Sequence, residues 1–344
     1  MRILSATCQR NEGPFILEWI AYHRLIGVTD FLIVSNDCDD GSDGLLDALA
    51  RAGAVTHEVQ TVADGDSVQW EGLRRIWKHP LRKSCDWMLF SDIDEFPMIH
   101  AEGHRLGDAL AALPEDASAL ALPWRLFGGN GVGAFHDRPV TAQFTRSAPE
   151  QLYHPIAGRH FKSLFRPDHF QRPGVHRPRR GKLAPLGHWY DGAGARLPEV
   201  FATREGMIAL PRLQVGRSLI EMHHYSVRSA ASFVVKADRG LANRQTKQID
   251  LSYWVERNFN TVENTAMARW GDALQAEMAR LRDLPGVAAA HDRACAWHRA
   301  RFETLVQSHA GYRLFCDCLH AADSAVFSEQ SARQLFAMFA RIGT

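Results

Sequence analysis

The chain has 344 residues, 46% of them hydrophobic, which is enough to bury a full core and fits roughly two domains. Forty basic against thirty-nine acidic residues leave a formal net charge of +1, so no global field draws the protein to nucleic acid or to an anionic bilayer. Its apolar runs fall well short of the roughly 20 residues a membrane helix needs, and residues 1–7 are too short an apolar stretch for a signal peptide.

In chain order, residues 2–7 read as a first strand. Pro14 suits a first helical turn, Phe15, Trp19, Tyr22 and Ile26 recur at helical spacing, and Gly27 suits the stop. A strand at 31–35 leads into the turn-rich Asn36-Asp37-Cys38-Asp39-Asp40-Gly41-Ser42. A helix over 44–52 is closed by Gly53, and a strand follows at 55–59. Residues 67–79 place Val68, Leu73, Ile76 and Trp77 on one helical stripe before Pro80 ends it, and 87–91 form the next strand. This alternation predicts an α/β fold with a mostly parallel central sheet covered by helices on both faces.

Between 119 and 227, strand-like pieces (119–126, 161–165, 218–225) are separated by Gly- and Pro-rich loops, where a substrate site would be built. Beyond Ser229, which suits a helix N-cap, the pattern is helical. Met267, Trp270, Leu274, Met278 and Leu281 make one stripe and residues 327–342 contain another. The expected organisation is a domain over 1–265, with a nucleotide half at 1–125 and an acceptor half at 126–265, then a helical extension over 266–344. Six cysteines with no CxxC pair read as reduced thiols of a cytoplasmic protein. Cys316 and Cys318, two apart, suit either helical packing or a metal pair.

The feature richest in chemistry is Ser91-Asp92-Ile93-Asp94-Glu95-Phe96 at the end of an apolar strand. Residues two apart on an extended chain face the same way, so Asp92 and Asp94 are expected to face one site together. Neighbouring carboxylates repel unless a proton or cation lies between them, and oxygen ligands suit Mg²⁺ or Mn²⁺, which bridge diphosphates. Open parallel sheets bind ligands at the carboxyl ends of their strands, where this pair falls. A metal there would stabilise charge on a departing diphosphate while a base takes the proton of an attacking hydroxyl. A solvated surface turn would show the same two residues and do nothing.

Arg10-Asn11-Glu12 and Asn36-Asp37 open on the same edge of the sheet, within reach of a nucleotide's base and ribose. Asp39 and Asp40 suit turn formation equally well. In Glu221-Met222-His223-His224-Tyr225, a strand turns only one of the two histidines to a given face, so at most one is a ligand. Six basic residues from 172 to 182, including His176, Arg179 and Arg180, would either neutralise phosphates or form a solvated loop.

These residues resemble bacterial glycosyltransferase family 2-like proteins related to glycosyltransferase family 92. The similarity is carried by Asn11-Glu12, Glu18-Trp19-Ile20-Ala21-Tyr22-His23, Asn36-Asp37 with Asp40-Gly41, Asp86-Trp87 and Asp92-Ile93-Asp94-Glu95-Phe96. It continues through Trp124, Phe127-Gly128, Lys162, Arg166-Pro167, residues 175–178, His224-Tyr225, Arg228-Ser229, Phe233, Lys236, Arg239-Gly240, Tyr253-Trp254 and Asn258, over about three quarters of the chain.

The resemblance implies the GT-A fold, a UDP-sugar donor, a saccharide or glycan acceptor, and Mn²⁺ or Mg²⁺ held by Asp94, with Asp92 against the ribose or sharing the metal. His224 matches the histidine that completes the metal shell in such enzymes, and Lys162 and Arg228 match donor-binding positions. The acidic base expected in the acceptor half has no clear counterpart, which leaves Glu95 and Asp191 as candidates.

Two other functions share parts of this pattern. A sugar nucleotidyltransferase normally carries a glycine-rich basic loop after the first strand, whereas Cys8-Gln9-Arg10-Asn11-Glu12-Gly13-Pro14 has one glycine. A non-catalytic sugar-binding protein would tolerate loss of one aspartate, and both are present. The last helix, with Leu335, Phe336, Phe339 and Ile342 beside Arg333 and Arg341, would either pack on the core or touch the inner face of a membrane.

Overall fold

A computed structural model of the chain describes residues 1–63, 66–181, 186–210, 216–240 and 249–342. The alternation read from the sequence is present as β1 (Ile3–Gln9), α1 (Gly13–Leu25), β2 (Asp30–Ser35), α2 (Ser42–Arg51), β3 (Thr56–Val59) and α3 (Val68–Lys78). Pro80 ends α3 and opens the short α4 (Pro80–Ser84), which leads to β4 (Trp87–Phe90). Then come β5 (Glu95–Ile99), α5 (Leu106–Ala111), β6 (Ala117–Leu126), α6 (Val140–Gln143), β7 (Arg146–Ser147), β8 (Phe161–Phe165), β9 (His188–Tyr190), α7 (Glu199–Thr203) and β10 (Ile220–His224). The remainder is α8 (Ala230–Arg239), α9 (Leu251–Val255), β11 (Val262–Glu263), α10 (Gly271–Arg282), α11 (Val287–Leu305), α12 (His309–His320) and α13 (Glu329–Ala340).

The main sheet runs β3-β2-β1-β4-β8-β6-β10-β5, with β9 beside the first half of β6. β8 and β5 are antiparallel to their neighbours, and every other pairing in it is parallel. Strand side chains alternate between two cores, as the period of two requires. Ile3, Phe31, Ile33 and Leu89 meet α1 and α2 on one face, while Leu4, Leu32, Val34, Met88 and Phe90 meet α3 and α7 on the other. This helix-covered, mostly parallel α/β sheet is the GT-A arrangement expected above.

Two differences from expectation bear on the site. The strand expected at 87–91 stops at Phe90, and the Glu95 N–H donates to the Asp92 carbonyl at 3.1 Å, so the aspartates stand in a turn and not on extended chain. The next strand, β5, was not anticipated, and it contains Pro97. Its place at the sheet edge explains the tolerance, since an edge strand can do without a ladder donor.

The helices after residue 266 close over α1 and α2. Leu274, Leu281, Val287 and Ala290 share a core with Phe15, Trp19 and Leu45, and Arg24 pairs with Glu277 at 3.1 Å. A Cβ on Gly13 would come within 2.5 Å of Ala294 Cβ on α11, so glycine permits this close approach. At the far end, α13 leaves Met338 and Phe339 exposed. No helix among the described residues is long and apolar enough to cross a membrane, and all six cysteines are free.

Candidate active site

Because β1, β2, β4, β6 and β10 run the same way, their carboxyl ends line one edge, and the antiparallel β8 and β5 begin there, with Phe161 opposite Pro123 and Glu95 opposite His224. Arg10, Asn11, Glu12, Asn36, Asp37, Asp92, Asp94, Lys162, His224 and Arg228 lie along that edge, where such sheets bind ligands. Three of them, Asn11, Asp37 and Arg228, hold positive φ angles of 52°, 45° and 55°. The left-handed region is uncommon for residues other than glycine, and such strain concentrates at working sites.

The turn sends the two aspartates in different directions. Asp92 goes to Lys162, whose buried Nζ lies 3.0 Å from Asp92 Oδ2 and 3.3 Å from Glu95 Oε2 and donates to the Val175 carbonyl at 3.2 Å. Glu95 Oε2 in turn accepts the Asp92 N–H at 2.8 Å. Burial, then the charges of Asp92 and Asp94, push the Glu95 carboxyl up to about 8 against the pull of Lys162. Burial also works against the Lys162 charge, but Asp92 and Glu95 hold its ammonium above the usual lysine value.

Asp94 goes to α8. Its Oδ2 accepts from Lys236 Nζ at 2.7 Å, while its Oδ1, buried, faces His224 Nε2 at 3.5 Å and has no hydrogen-bond partner. Burial opposes ionisation, yet Lys236 and then His224 hold the Asp94 carboxyl well below the usual range. Burial lowers His224, whose ring packs on Trp124 at 4.2 Å and whose Nδ1 is also without a partner. His223 faces the other way, with Nε2 3.2 Å from Glu221 and its ring on Phe127. The ligand atoms of Asp92, Asp94 and His224 do not all fall within 4.8 Å of one another. The two aspartates, expected side by side, are therefore separate, and Asp94 is grouped with His224.

Glu12 sits between two arginines, 2.7 Å from Arg228 Nη1 and paired with Arg239. Arg228 also lies over the Phe15 ring at 3.5 Å, and Arg239 donates to the Arg10 carbonyl at 2.6 Å. Burial would raise Glu12, but Arg228 and then Arg239 bring it down to about 2. At the mouth, Asn11 Oδ1 accepts the Asp39 N–H at 2.8 Å, Arg10 Nε donates to the Asp37 carbonyl at 3.0 Å, and Asn36 Nδ2 donates to Asp37 Oδ2 at 3.2 Å. Asp37 and Asp39 are exposed, whereas Asp40 is buried and accepts the Gly13 and Ser42 N–H groups, tying α1 to α2.

Asp191 is not brought to this group. Its Oδ1 accepts the N–H groups of Ala193 at 3.0 Å and Ala195 at 2.9 Å, and the next residue's carbonyl accepts from Ile220 at the start of β10. His224 lies four residues further along that strand, roughly 13 Å away at the usual rise. Of the basic run, His176 packs beside Trp124, Arg177 lies 4.3 Å from both the Trp189 and Phe201 rings, and Arg179 lies over Trp70, while Lys182 falls outside the described residues. Sequence reasoning gave no role to Lys236 or Arg239. The available signal was a pair of basic residues seven and ten positions after the Ser229 N-cap, on the face of α8 that carries Phe233.

A divalent ion fits Asp94 and His224. Two ligands each roughly 2.0–2.2 Å from one small ion stand roughly 3–3.5 Å apart, which is the separation of Asp94 Oδ1, buried and without a partner, from His224 Nε2.

Residues 7–184, just over half of the chain, match the family model described as glycosyltransferase family 92. A glycosyltransferase family 92 protein of Oryza sativa subsp. japonica is 30% identical over 180 residues, 47% of this chain and 26% of that protein. A second, from Arabidopsis thaliana, is 25% identical over 182 residues, 46% of this chain and 27% of that protein. The match thus spans about a quarter of these relatives' length. Among solved structures, the mannosyltransferase PcManGT from Pyrobaculum calidifontis, in complex with GDP-Man and Mn²⁺, is 15% identical with a TM-score of 0.36 over 93% of this chain and 85% of that one. TarS 1–349 of S. aureus is 15% identical with a TM-score of 0.35 over 89% of this chain and 92% of that one.

Proposed function

This chain belongs to glycosyltransferase family 92, and we propose that it moves a sugar from a uridine diphosphate donor to a saccharide acceptor in a metal-dependent reaction. The observation that carries the proposal is Asp94 Oδ1, buried without a hydrogen-bond partner and 3.5 Å from His224 Nε2, at the carboxyl edge of the parallel strands. A buried ionised oxygen without a donor is costly, so its persistence beside a histidine whose Nδ1 also lacks a partner supports a cation as the missing partner.

Asp94 and His224 would hold Mn²⁺ or Mg²⁺, and the bound ion would offset the negative charge that develops on the leaving diphosphate. Lys236 keeps Asp94 ionised and fixes its free oxygen toward His224. Asp92, with its side chain 38% exposed, is the open member of the pair and would receive the donor ribose, held in place by Lys162. Arg10, Asn36 and Asp37 form the mouth at the ends of β1 and β2, where the base would lie; Asn11 shapes it through Asp39. Glu12 and Arg228 support this wall by pairing with each other. Glu95 is fully buried and reaches the edge only through the Asp92 N–H and Lys162, so it positions these two groups and does not touch the acceptor.

The test is thermal unfolding of the whole chain with uridine diphosphate and Mn²⁺, separately and together. A ligand present at a hundred times its Kd adds about 2.7 kcal/mol to the folded state, so a rise of several degrees is expected only when both are present. No rise at saturating nucleotide and metal, together with no diphosphate release from any UDP-sugar, sinks the proposal.

A further inference from the structure

Away from the donor edge, three side chains of different chemistry converge on one point. His291 and Cys295 are one turn apart on α11, both buried, at 1% and 2% exposure. Asp137 reaches them from the segment just before α6. His291 Nε2 lies 3.0 Å from Asp137 Oδ1 and 3.5 Å from Cys295 Sγ, and all three ligand atoms fall within 4.8 Å of one another.

Hydrogen bonds join these groups in pairs, since the His291 ring and the Cys295 thiol both face the Asp137 carboxylate, but Cys295 Sγ and Asp137 Oδ1 also converge on the single Nε2, which carries one hydrogen or one lone pair. A nucleophilic relay needs the thiol on one ring nitrogen and the carboxylate on the other. Both sit on Nε2, and Nδ1 is buried with no partner. An ion bound to all three satisfies each of them. Bonds of roughly 2.3 Å to sulfur and 2.0–2.2 Å to nitrogen and oxygen at tetrahedral angles place N and S roughly 3.5 Å apart and N and O slightly closer, as found here.

We propose that Asp137, His291 and Cys295 form a second metal site, selective for a thiolate-accepting divalent ion of the zinc class. Sulfur and imidazole ligands favour Zn²⁺ or Co²⁺ over the hard Mn²⁺ and Mg²⁺. The fourth position opens on the side of Asp137, whose side chain is 36% exposed, so solvent completes the shell; the second Asp137 oxygen stays near Arg282, 3.9 Å away. On binding, the Cys295 S–H gives its proton to solvent and its sulfur bonds the ion, with no change of oxidation state. The site would clasp α11 to the segment leading into α6. The same helix packs Ala294 against Gly13, and its His298 lies 3.2 Å from Ser232 of α8, the helix that carries Lys236. The proposal is independent of the donor-site reading.

The experiment uses the full chain freed of metal by chelation and titrated with Co²⁺, then with Zn²⁺. One equivalent of Co²⁺ is expected to give a sulfur-to-cobalt charge-transfer band with tetrahedral visible absorption, which Zn²⁺ displaces and excess Mn²⁺ does not. Cys295→Ser should abolish the band, Asp94→Asn should leave it, and Asp137→Asn, at the exposed ligand, should weaken Zn²⁺ binding about tenfold or more. Absence of the charge-transfer band from the unsubstituted chain overturns the proposal, as does its persistence in Cys295→Ser. Should Cys295→Ser not fold, the Asp137→Asn affinity decides, and unchanged Zn²⁺ binding in it also overturns the site.

Discussion

Glu12 and Asp94 are both buried carboxylates at the ends of strands, and both are met by cations from the turn after β10 or from α8, yet the two networks end differently. Around Glu12, Arg228 and Arg239 take both oxygens, and Arg228 is further fixed over Phe15. Around Asp94, Lys236 takes one oxygen and leaves the other, without a hydrogen-bond partner, 3.5 Å from His224 Nε2. A closed network of this kind costs little beyond desolvation and ties elements together, whereas one with orphaned atoms sacrifices stability that only a ligand can return. On the proposed function, Glu12 serves the fold and Asp94 the chemistry, although in the sequence both are acidic residues just past a strand.

Substitution should separate the two. The largest effect is expected for Asp94→Asn, which keeps the shape but removes the charge. Diphosphate release from the donor should fall about a thousandfold or more, with a cooperative unfolding transition still present. Turnover within a few-fold of the parent would erase the contrast. Next in size, Glu12→Gln leaves two buried arginines short of a partner and should cost about 3–5 kcal/mol at pH 7 by denaturant unfolding, with little change in turnover per folded molecule.

The pH dependence sharpens that result. Glu12 in the folded protein is brought down to about 2 from the ordinary 4.5, so its contribution is fully present above pH 4.5 and is lost as pH falls toward 2. The difference between Glu12→Gln and the parent should therefore shrink steadily across that window. A cost that is the same at pH 7 and pH 3 would show that packing, and not charge, is responsible.

The smallest effect concerns Glu95, which shifts the opposite way. Its folded value of about 8 lies above the ordinary 4.5, so its contribution is fully present below pH 4.5 and is lost as pH rises through 8. Removing one titrating group changes the slope of stability by at most about 1.4 kcal/mol per pH unit, and Glu95→Gln should flatten the curve between pH 5 and 8 by up to that amount. An unaltered slope in Glu95→Gln would mean that Glu95 does not hold this proton.

Much of the fold was legible because it depends on local periodicity. The stripe of Phe15, Trp19, Tyr22 and Ile26, the stop at Gly27 with φ 102°, and the Ser229 cap accepting from the Ser232 N–H are satisfied within a turn or two of chain. β5 escaped because its five residues follow the acidic turn directly and include Pro97, and the edge position that suits a proline there is a property of the whole sheet. The pairing of Asp92 with Asp94 was inferred from extended chain, whereas the strand ends at Phe90, before either aspartate. One turn between Asp92 and Glu95 was enough to send the side chains to different partners.

The sequence by itself determined the α/β alternation, the acidic motif after β4, and the edge on which Arg10, Asn36, Asp92, Asp94 and His224 gather, because strand direction and period fix where the ends of parallel strands lie. Only the tertiary structure decided that Asp94 pairs with Lys236, that Asp92 belongs with Lys162 and Glu95, that Glu12 is closed by arginines more than 200 positions away, and that Asp137 meets His291 and Cys295. Each of these rests on which buried charge finds which partner. Such choices follow from packing between elements remote in the chain, where the cost of an unpaired charge is high and local sequence carries no record of what lies opposite.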